Sequence, residues 1–430
     1  MEQLSAAVVG LGRVGLPLAV FLASRGVRVK GVENDALRRE SIAAGILQSN
    51  EPFLEDLYLR FKGSIELTDL VTAVQSTELT FIVVPTPARV DGTLSDESVQ
   101  LVLGDIAALG KSKPKHPHLV VVVSTLMPGT LAGSLADICP AVSSPPVQIC
   151  YSPVFVALGS VLKDLESPPF VLIGTNNEEA GARLARFYTT IGYEKALLVE
   201  TDAANAEIAK IALNAFLAMK VAFANSLGGI CNIINGARAE TVLKIIGRDP
   251  RVGNSYLREG APYGGPCLPR DVDAFITMAE GHGAPSILGR AIRESNNARY
   301  TYLLEHILER APRAGARFGI VGLAHKPLTD YLDHGFGLSL ARDLVQRGYK
   351  VIAHEPGVPA APPHLPSGVD YVDDLDQLAK MSDVCVLTYL NWELRERLRA
   401  AVPVSVPLLD IWRLSEKQQD HRGSDTNESD

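Results

Sequence analysis

Ala6-Ala7-Val8-Val9-Gly10-Leu11-Gly12-Arg13-Val14-Gly15-Leu16-Pro17-Leu18-Ala19 is the stretch on which the fold turns. A short apolar run reads as a buried strand, Gly-x-Gly-x-x-Gly follows at once, and a helical pattern starts at the third glycine. Such glycines allow a tight turn and let a pyrophosphate reach the helix N-terminus, where unpaired N–H groups attract anions. Glu33 ends the next apolar run, eighteen residues past Gly15, where an acid binds a ribose 2′-hydroxyl. A carboxylate there favours NAD over NADP, because a 2′-phosphate would meet like charge. Taken alone the motif also fits glycines that merely pack a helix on a strand. Gly10, Gly12, Arg13, Val14, Gly15 and Glu33 are the candidate cofactor residues.

Outward from this stretch, the chain alternates strands and helices. Val27–Val32, Phe81–Val84, Leu119–Val123 and Phe170–Ile173 are further apolar runs, and near-continuous runs between helices predict a parallel sheet covered on both faces. After about residue 201 the pattern is mostly helical. A second α/β series opens with Arg317–Gly322 and continues through Val351–His354 and Val384–Leu387. The predicted fold is α/β: two Rossmann-like, doubly wound domains joined by a long central helix and a helical region. The expected boundaries are 1–200, 201–311 and 312–414, with a polar, disordered tail over 415–430.

Pro85-Thr86-Pro87 and Ser124-Thr125 follow two of the predicted strands, and ligands bind at strand C-termini in such sheets. Either segment in isolation also reads as plain turn chemistry. Lys210 and Asn214 lie four apart, hence on one face of an otherwise apolar helix. Buried polar groups need partners, so a ligand is one reading and a solvated helix edge the other. Gly264-Gly265-Pro266-Cys267 runs into Pro269-Arg270-Asp271. Pro269 suits a first helical turn, which puts Cys267 just outside a helix N-terminus. The helix dipole and Arg270 would favour its thiolate, and Asp271, one turn on, is in range to orient a water or take a proton. The alternative is a small apolar residue in a buried loop.

The chain has 430 residues, 47% hydrophobic and 21% charged, enough for sizeable cores in two or three domains. A net charge of −8 argues against a nucleic-acid partner. The five cysteines are scattered without metal-type pairing, which predicts reduced thiols in a cytoplasmic compartment and no metal site. No basic, apolar leader opens the chain, and no unbroken apolar run reaches membrane-spanning length.

Together these residues resemble the UDP-glucose/GDP-mannose dehydrogenases, which oxidise the C6 alcohol of a nucleotide sugar to a carboxylate. The resemblance runs from Val8 to about Arg413. It rests on the glycines, Asn50-Glu51-Pro52, Val84-Pro85-Thr86-Pro87, Ser124-Thr125 with Pro128-Gly129-Thr130, and Lys210 with Asn214. It continues through Arg251-Val252-Gly253, the Cys267 segment, and Gly322-Leu323-Ala324-His325-Lys326-Pro327. It implies an N-terminal NAD domain, a central helix that forms a homodimer, and a C-terminal domain for the nucleotide, with two NAD reduced per sugar. Cys267 would form a thiohemiacetal and then a thioester, Lys210 would stabilise oxyanions and Asn214 would hold the sugar. Asp271 and Thr125 would position or activate water. Gly264, Tyr256 and Leu257 would wrap the substrate, Arg251 would reach across the dimer, and Lys326 would meet the diphosphate.

Four departures mark this chain. Where the family usually reads Ser-Pro-Glu-Phe-Leu-Arg-Glu-Gly, Ser152–Gly159 carries Val154 and Leu158 in place of both glutamates. Arg270 replaces a common lysine, Asn225-Ser226 an Asn-Glu pair, and Asp333 an arginine. Three readings follow: a nucleotide-sugar 6-dehydrogenase acting on UDP-glucose, an altered member with slow thioester hydrolysis or another sugar (GDP-mannose, a UDP-N-acetylhexosamine), and a non-catalytic nucleotide-sugar binder.

Overall fold

A computed structural model describes residues 3–47, 49–109, 117–139, 147–327, 332, 334–358, 360–362 and 365–413. The tail 415–430 and Asp333, both singled out from the sequence, lie outside the described residues.

The described chain gathers into two compact units. One holds residues up to Ala215 with Arg270–Arg290; the other holds Phe216–Pro269, Ala291–Pro327 and the remainder to Arg413. The cut falls inside a 31-residue central helix, Ala203–Ile233.

The first unit is built on eight strands: β1 Ser5–Val9, β2 Arg28–Val32, β3 Ile65–Leu67, β4 Leu79–Ile82, β5 His118–Val122, β6 Val147–Tyr151, β7 Val171–Gly174 and β8 Leu198–Thr201. Their order is β3-β2-β1-β4-β5-β6-β7-β8. The order reverses between β1 and β4, which places a ligand crevice at the C-terminal ends of those two strands. Both faces are covered. Val8, Phe81, Leu119 and Val121 pack into one apolar cluster, while Val9, Ile82, Val120 and Val122 pack into another. Side chains alternate across a strand, so burial on both faces is what makes these runs continuously apolar. One expectation is corrected: the sheet is not wholly parallel, because β6 meets β7 antiparallel through Tyr151 and Gly174. Gly174 also lets the start of the helix Ala203–Ile233 approach, since a Cβ there would lie 2.3 Å from the Cβ of Ala206.

The second unit repeats the architecture with β9 Arg317–Val321, β10 Lys350–His354, β11 Val369–Tyr371, β12 Val384–Leu387 and β13 Leu408–Asp410, in the order β11-β10-β9-β12-β13 and all parallel. Its own core centres on Phe318, Ile320, Ile352 and Val386.

By length and mean hydropathy the central helix could cross a membrane, although no unbroken apolar run in the sequence is long enough to do so. Its polar residues explain the difference. Glu207, Lys210, Asn214 and Asn225 interrupt the run, and all four are buried within the protein. Among them Glu207 accepts the N–H groups of Gly129 at 2.6 Å and Leu131 at 2.8 Å. It is a core helix.

Candidate active site

The glycine-rich turn has the shape that a dinucleotide requires. Gly10 has φ +90°, a left-handed conformation, and a Cβ on Gly15 would lie 1.8 Å from the carbonyl oxygen of Gly10. A Cβ on Gly12 would meet no protein atom, so the absent side chain leaves open space above the turn. Glu33 turns back to this loop, its Oε2 accepting the Leu11 N–H at 3.0 Å and lying 3.7 Å from the Arg38 guanidinium. The acid is thus fixed beside the turn, where the sequence reading placed a ribose. Val14 is half-buried and Arg13 exposed at the rim.

Two loops border this crevice at the C-terminal ends of β4 and β5. Ser124 ties them together, accepting the Val84 N–H at 3.0 Å and donating to the Val84 carbonyl at 2.7 Å. Thr86 is buried between the exposed Pro85 and Pro87. A second helix, Leu268–Gly281, brings Arg270 and Asp271 to these loops. Arg270 donates from Nη2 to the Thr125 hydroxyl at 3.1 Å, from Nη1 to the Thr86 carbonyl at 3.4 Å, and from Nε to Asp271 Oδ1 at 2.8 Å. The other oxygen of Asp271 accepts from Asn214 at 2.5 Å. Five residues from four separate segments therefore form one hydrogen-bonded chain, with Asp271 fully buried.

Lys210 lies one turn before Asn214 on the same buried face, so the solvated-edge reading fails for both. Its ammonium donates to the Val154 carbonyl at 2.8 Å and sits 4.7 Å from the centre of the Phe155 ring. Lysine is held here by a peptide oxygen and an aromatic face. The side chains of Val154 and Leu158 pack on the apolar cluster beneath.

The second unit carries the remaining candidates. Cys267 immediately precedes the helix Leu268–Gly281 and is exposed. Cys150, Cys231 and Cys385 are buried. Burial pushes the Cys150 thiol up to about 12 and those of Cys139 and Cys385 up to about 11, which holds these three as neutral thiols. Gly264 and Gly265 form the approach to Cys267, with the Gly265 N–H donating to the His334 carbonyl at 3.3 Å. Tyr256 takes φ 61°, an uncommon left-handed conformation for a bulky residue, beside the buried Leu257. Arg251 is 88% exposed and forked on Asp249, with Nη2 to Oδ2 at 2.6 Å. Lys326 lies half-buried in the loop after β9.

Residues 4–192 match the model of the NAD binding domain of the UDP-glucose/GDP-mannose dehydrogenase family, and residues 204–298 match that family's central domain. The chain belongs to the UDP-glucose/GDP-mannose dehydrogenase family. It is 30% identical to a UDP-glucose 6-dehydrogenase of Haloferax volcanii, over 90% of this chain and 91% of that one. It is 29% identical to a GDP-mannose 6-dehydrogenase of Azotobacter vinelandii, over 94% and 95% respectively. A solved structure of a UDP-glucose dehydrogenase from Pyrobaculum islandicum superposes with a TM-score of 0.87 at 30% identity, covering 96% of each chain. NAD is the cofactor of this dehydrogenase, and the Gly10–Gly15 turn with Glu33 fits it.

The family member's second unit holds two features that the sequence did not disclose. A cavity of about 260 Å³ is lined by Arg258, Tyr389, Asn391, Trp392, Arg395 and Arg413, with the guanidinium carbons of Arg395 and Arg413 5.2 and 4.8 Å from the Trp392 ring centre. Asp410 also lines it and pairs with Arg395 at 3.1 Å, and arginines stacked on an aromatic ring suit phosphate and planar base alike. Separation hid it: Arg258 lies far from the other residues in sequence. The second feature is a copy of the first unit's glycine turn. Gly322 has φ +97°, and a Cβ on Gly337 would lie 1.9 Å from the Gly322 carbonyl oxygen. Here Glu355 takes the place of Glu33, accepting from Leu323, Ala324 and the Tyr389 hydroxyl. Burial raises the pKa of this carboxyl.

Proposed function

We propose that this NAD-dependent dehydrogenase oxidises the C6 alcohol of UDP-glucose to the uronic acid through covalent intermediates on Cys267. The observation that carries the reading is the chain Asn214–Asp271–Arg270–Thr125, which places a carboxylate, an amide and a hydroxyl next to the cofactor loops. Two molecules of NAD, bound in turn, would each accept one hydride from C6, the proton of the alcohol leaving to solvent in the first step. Lys210 stabilises the oxygen at C6 as charge develops on it. The Cys267 thiolate adds to the C6 aldehyde, forming an S–C bond and an alkoxide that takes up a proton as the thiohemiacetal. Loss of the second hydride from C6, with the hydroxyl proton passing to water, leaves a thioester. Water adds to that carbonyl, the S–C bond breaks, and the thiolate and carboxylic acid are released.

Thr125 accepts a hydrogen bond from Arg270, which leaves its own O–H to donate. That favours orienting a water or an oxyanion over removing a proton. With Val154 and Leu158 apolar, hydrolysis is the slow step. The central helix exposes Phe216, Phe223 and Ile230 at seven-residue spacing, a stripe that suits a homodimer along its length. The buried, neutral thiols agree with action in a reducing cytoplasm. The cavity beside Trp392 suits the nucleotide.

Purified protein with UDP-glucose and excess NAD tests the reading by counting NADH per sugar. Two equivalents support full oxidation. One equivalent supports a stop at the aldehyde, and an adduct trapped on Cys267, with NADH limited to two equivalents per enzyme, supports arrest before hydrolysis. Binding without turnover across UDP- and GDP-sugars would overturn the catalytic reading.

A further inference from the structure

From Arg248 to Cys267 the chain has neither helix nor strand, so its backbone groups must find partners elsewhere. Two asparagines provide them just ahead of the nucleophile. Asn225 accepts the Gly260 N–H at 2.9 Å and donates to the Ala261 carbonyl at 3.0 Å. Asn296, on the helix Ile287–Leu308, accepts the Tyr263 N–H at 2.7 Å and donates to the Tyr263 carbonyl at 3.0 Å. Arg299, one turn further on, donates from Nε to the Gly260 carbonyl at 2.8 Å and pairs with the buried Glu259 at 3.2 Å. Between the asparagines the two helices join, Ser226 Oγ lying 3.0 Å from Ser295 Oγ. Room for this is built in: a Cβ on Gly228 would lie 2.2 Å from the Glu259 carboxyl carbon. All of these residues belong to the second unit, with Cys267.

We propose that the pairs Asn225-Ser226 and Ser295-Asn296 form a clamp that sets the position of Cys267. These are positioning residues, acting through the loop rather than on substrate. An amide side chain carries a donor and an acceptor in one plane, matching a peptide's own C=O and N–H. Four backbone groups of Gly260, Ala261 and Tyr263 are held in this way, and Arg299 holds a fifth, the Gly260 carbonyl. Only Gly264, Gly265 and Pro266 separate the clamped Tyr263 from Cys267, so slack at Tyr263 passes to the sulfur. A displacement of about 1 Å at a reacting group costs on the order of 100-fold in rate. It would also carry the thiol away from the helix N-terminus that favours its thiolate.

The clamp rests on the nucleophile reading above, and its test separates the two. In Asn225→Asp and Asn296→Asp the acceptor is kept, but an anionic oxygen replaces the donor and faces a carbonyl. The full-length variants are assayed for kcat and KM with UDP-glucose, for NAD affinity by titration, and for the rate of Cys267 alkylation by iodoacetamide across pH. We expect kcat to fall about 100-fold, with KM and NAD affinity within about threefold. Cys267 alkylation at pH 7 should slow about tenfold, its pH midpoint moving up toward an ordinary cysteine. Where an Asp variant does not fold, Asn→Ser, which keeps one hydrogen bond, carries the measurement. Unchanged kcat and alkylation in folded variants would overturn the clamp, as would an equal loss of NAD affinity. If the unaltered protein oxidises no nucleotide sugar, the alkylation profiles still decide the clamp, and only the catalytic reading falls.

Discussion

Asn214 donates a hydrogen bond of 2.5 Å to Asp271, joining the central helix to the helix that follows Cys267 across 57 residues of sequence. The contact explains why an amide interrupts an apolar helix. It also fixes the carboxylate that Arg270 grips from the other side, so Asp271 is held at both oxygens and buried without leaving a charge unpaired.

Asp271→Asn keeps the shape and removes the charge that Arg270 and Asn214 were arranged around. We expect kcat to fall by about 100-fold or more while NAD affinity holds, measured by steady-state kinetics and NAD titration. Asp271→Ala should also cost about 1–3 kcal/mol of stability, because it strands two donors in the interior. An Asp271→Asn enzyme of normal kcat would remove Asp271 from the chemistry.

Cys267→Ser should abolish uronate formation and leave NAD binding intact, since the dinucleotide turn lies in the other unit. Product analysis after prolonged incubation with UDP-glucose checks this. Normal uronate from the serine variant would end the covalent mechanism.

The two glycine turns make a paired prediction. Gly15→Ala forces a methyl to within 1.8 Å of the Gly10 carbonyl, and Gly337→Ala forces one to within 1.9 Å of the Gly322 carbonyl. Both should lower thermal stability, but only Gly15→Ala should abolish NAD binding, because the second turn carries Ala324 where the first has the open Gly12. Equal loss of NAD affinity in both variants would contradict this division.

Leu158→Glu returns a carboxylate to the loop that carries Val154, whose carbonyl holds Lys210. If hydrolysis is slow for want of a base, this variant should shorten the lifetime of the Cys267 adduct, followed by intact-protein mass after mixing with UDP-glucose and NAD. An unchanged lifetime would place the limiting step elsewhere.

His118 supplies a pH test. Burial lowers its pKa to about 4, and its Nε2 lies 2.8 Å from the Thr80 hydroxyl. The unfolded chain takes up a proton near pH 6.5 and the folded one only near 4, so stability is lost as pH falls between those values. The full loss is of order 3 kcal/mol. The urea midpoint should fall from pH 7 to pH 4.5 more steeply in the native chain than in His118→Gln, and parallel pH profiles would assign the acid sensitivity to other groups.

By itself the sequence determined what depends on neighbours along the chain. Strand, glycine turn, helix and Glu33 follow within a few dozen residues, and period and composition suffice to read them. The start of the helix after Cys267 was legible from Pro269 for the same reason. The antiparallel step from β6 to β7 was not, because a buried strand is apolar in either direction. The tertiary structure decided everything that joins distant segments. Arg270 reaches Thr125 across 145 residues and Thr86 across 184, and Asn225 meets Gly260 across 35. No local pattern marks such partners. A buried donor must find an acceptor somewhere, and only the folded chain shows which one it takes.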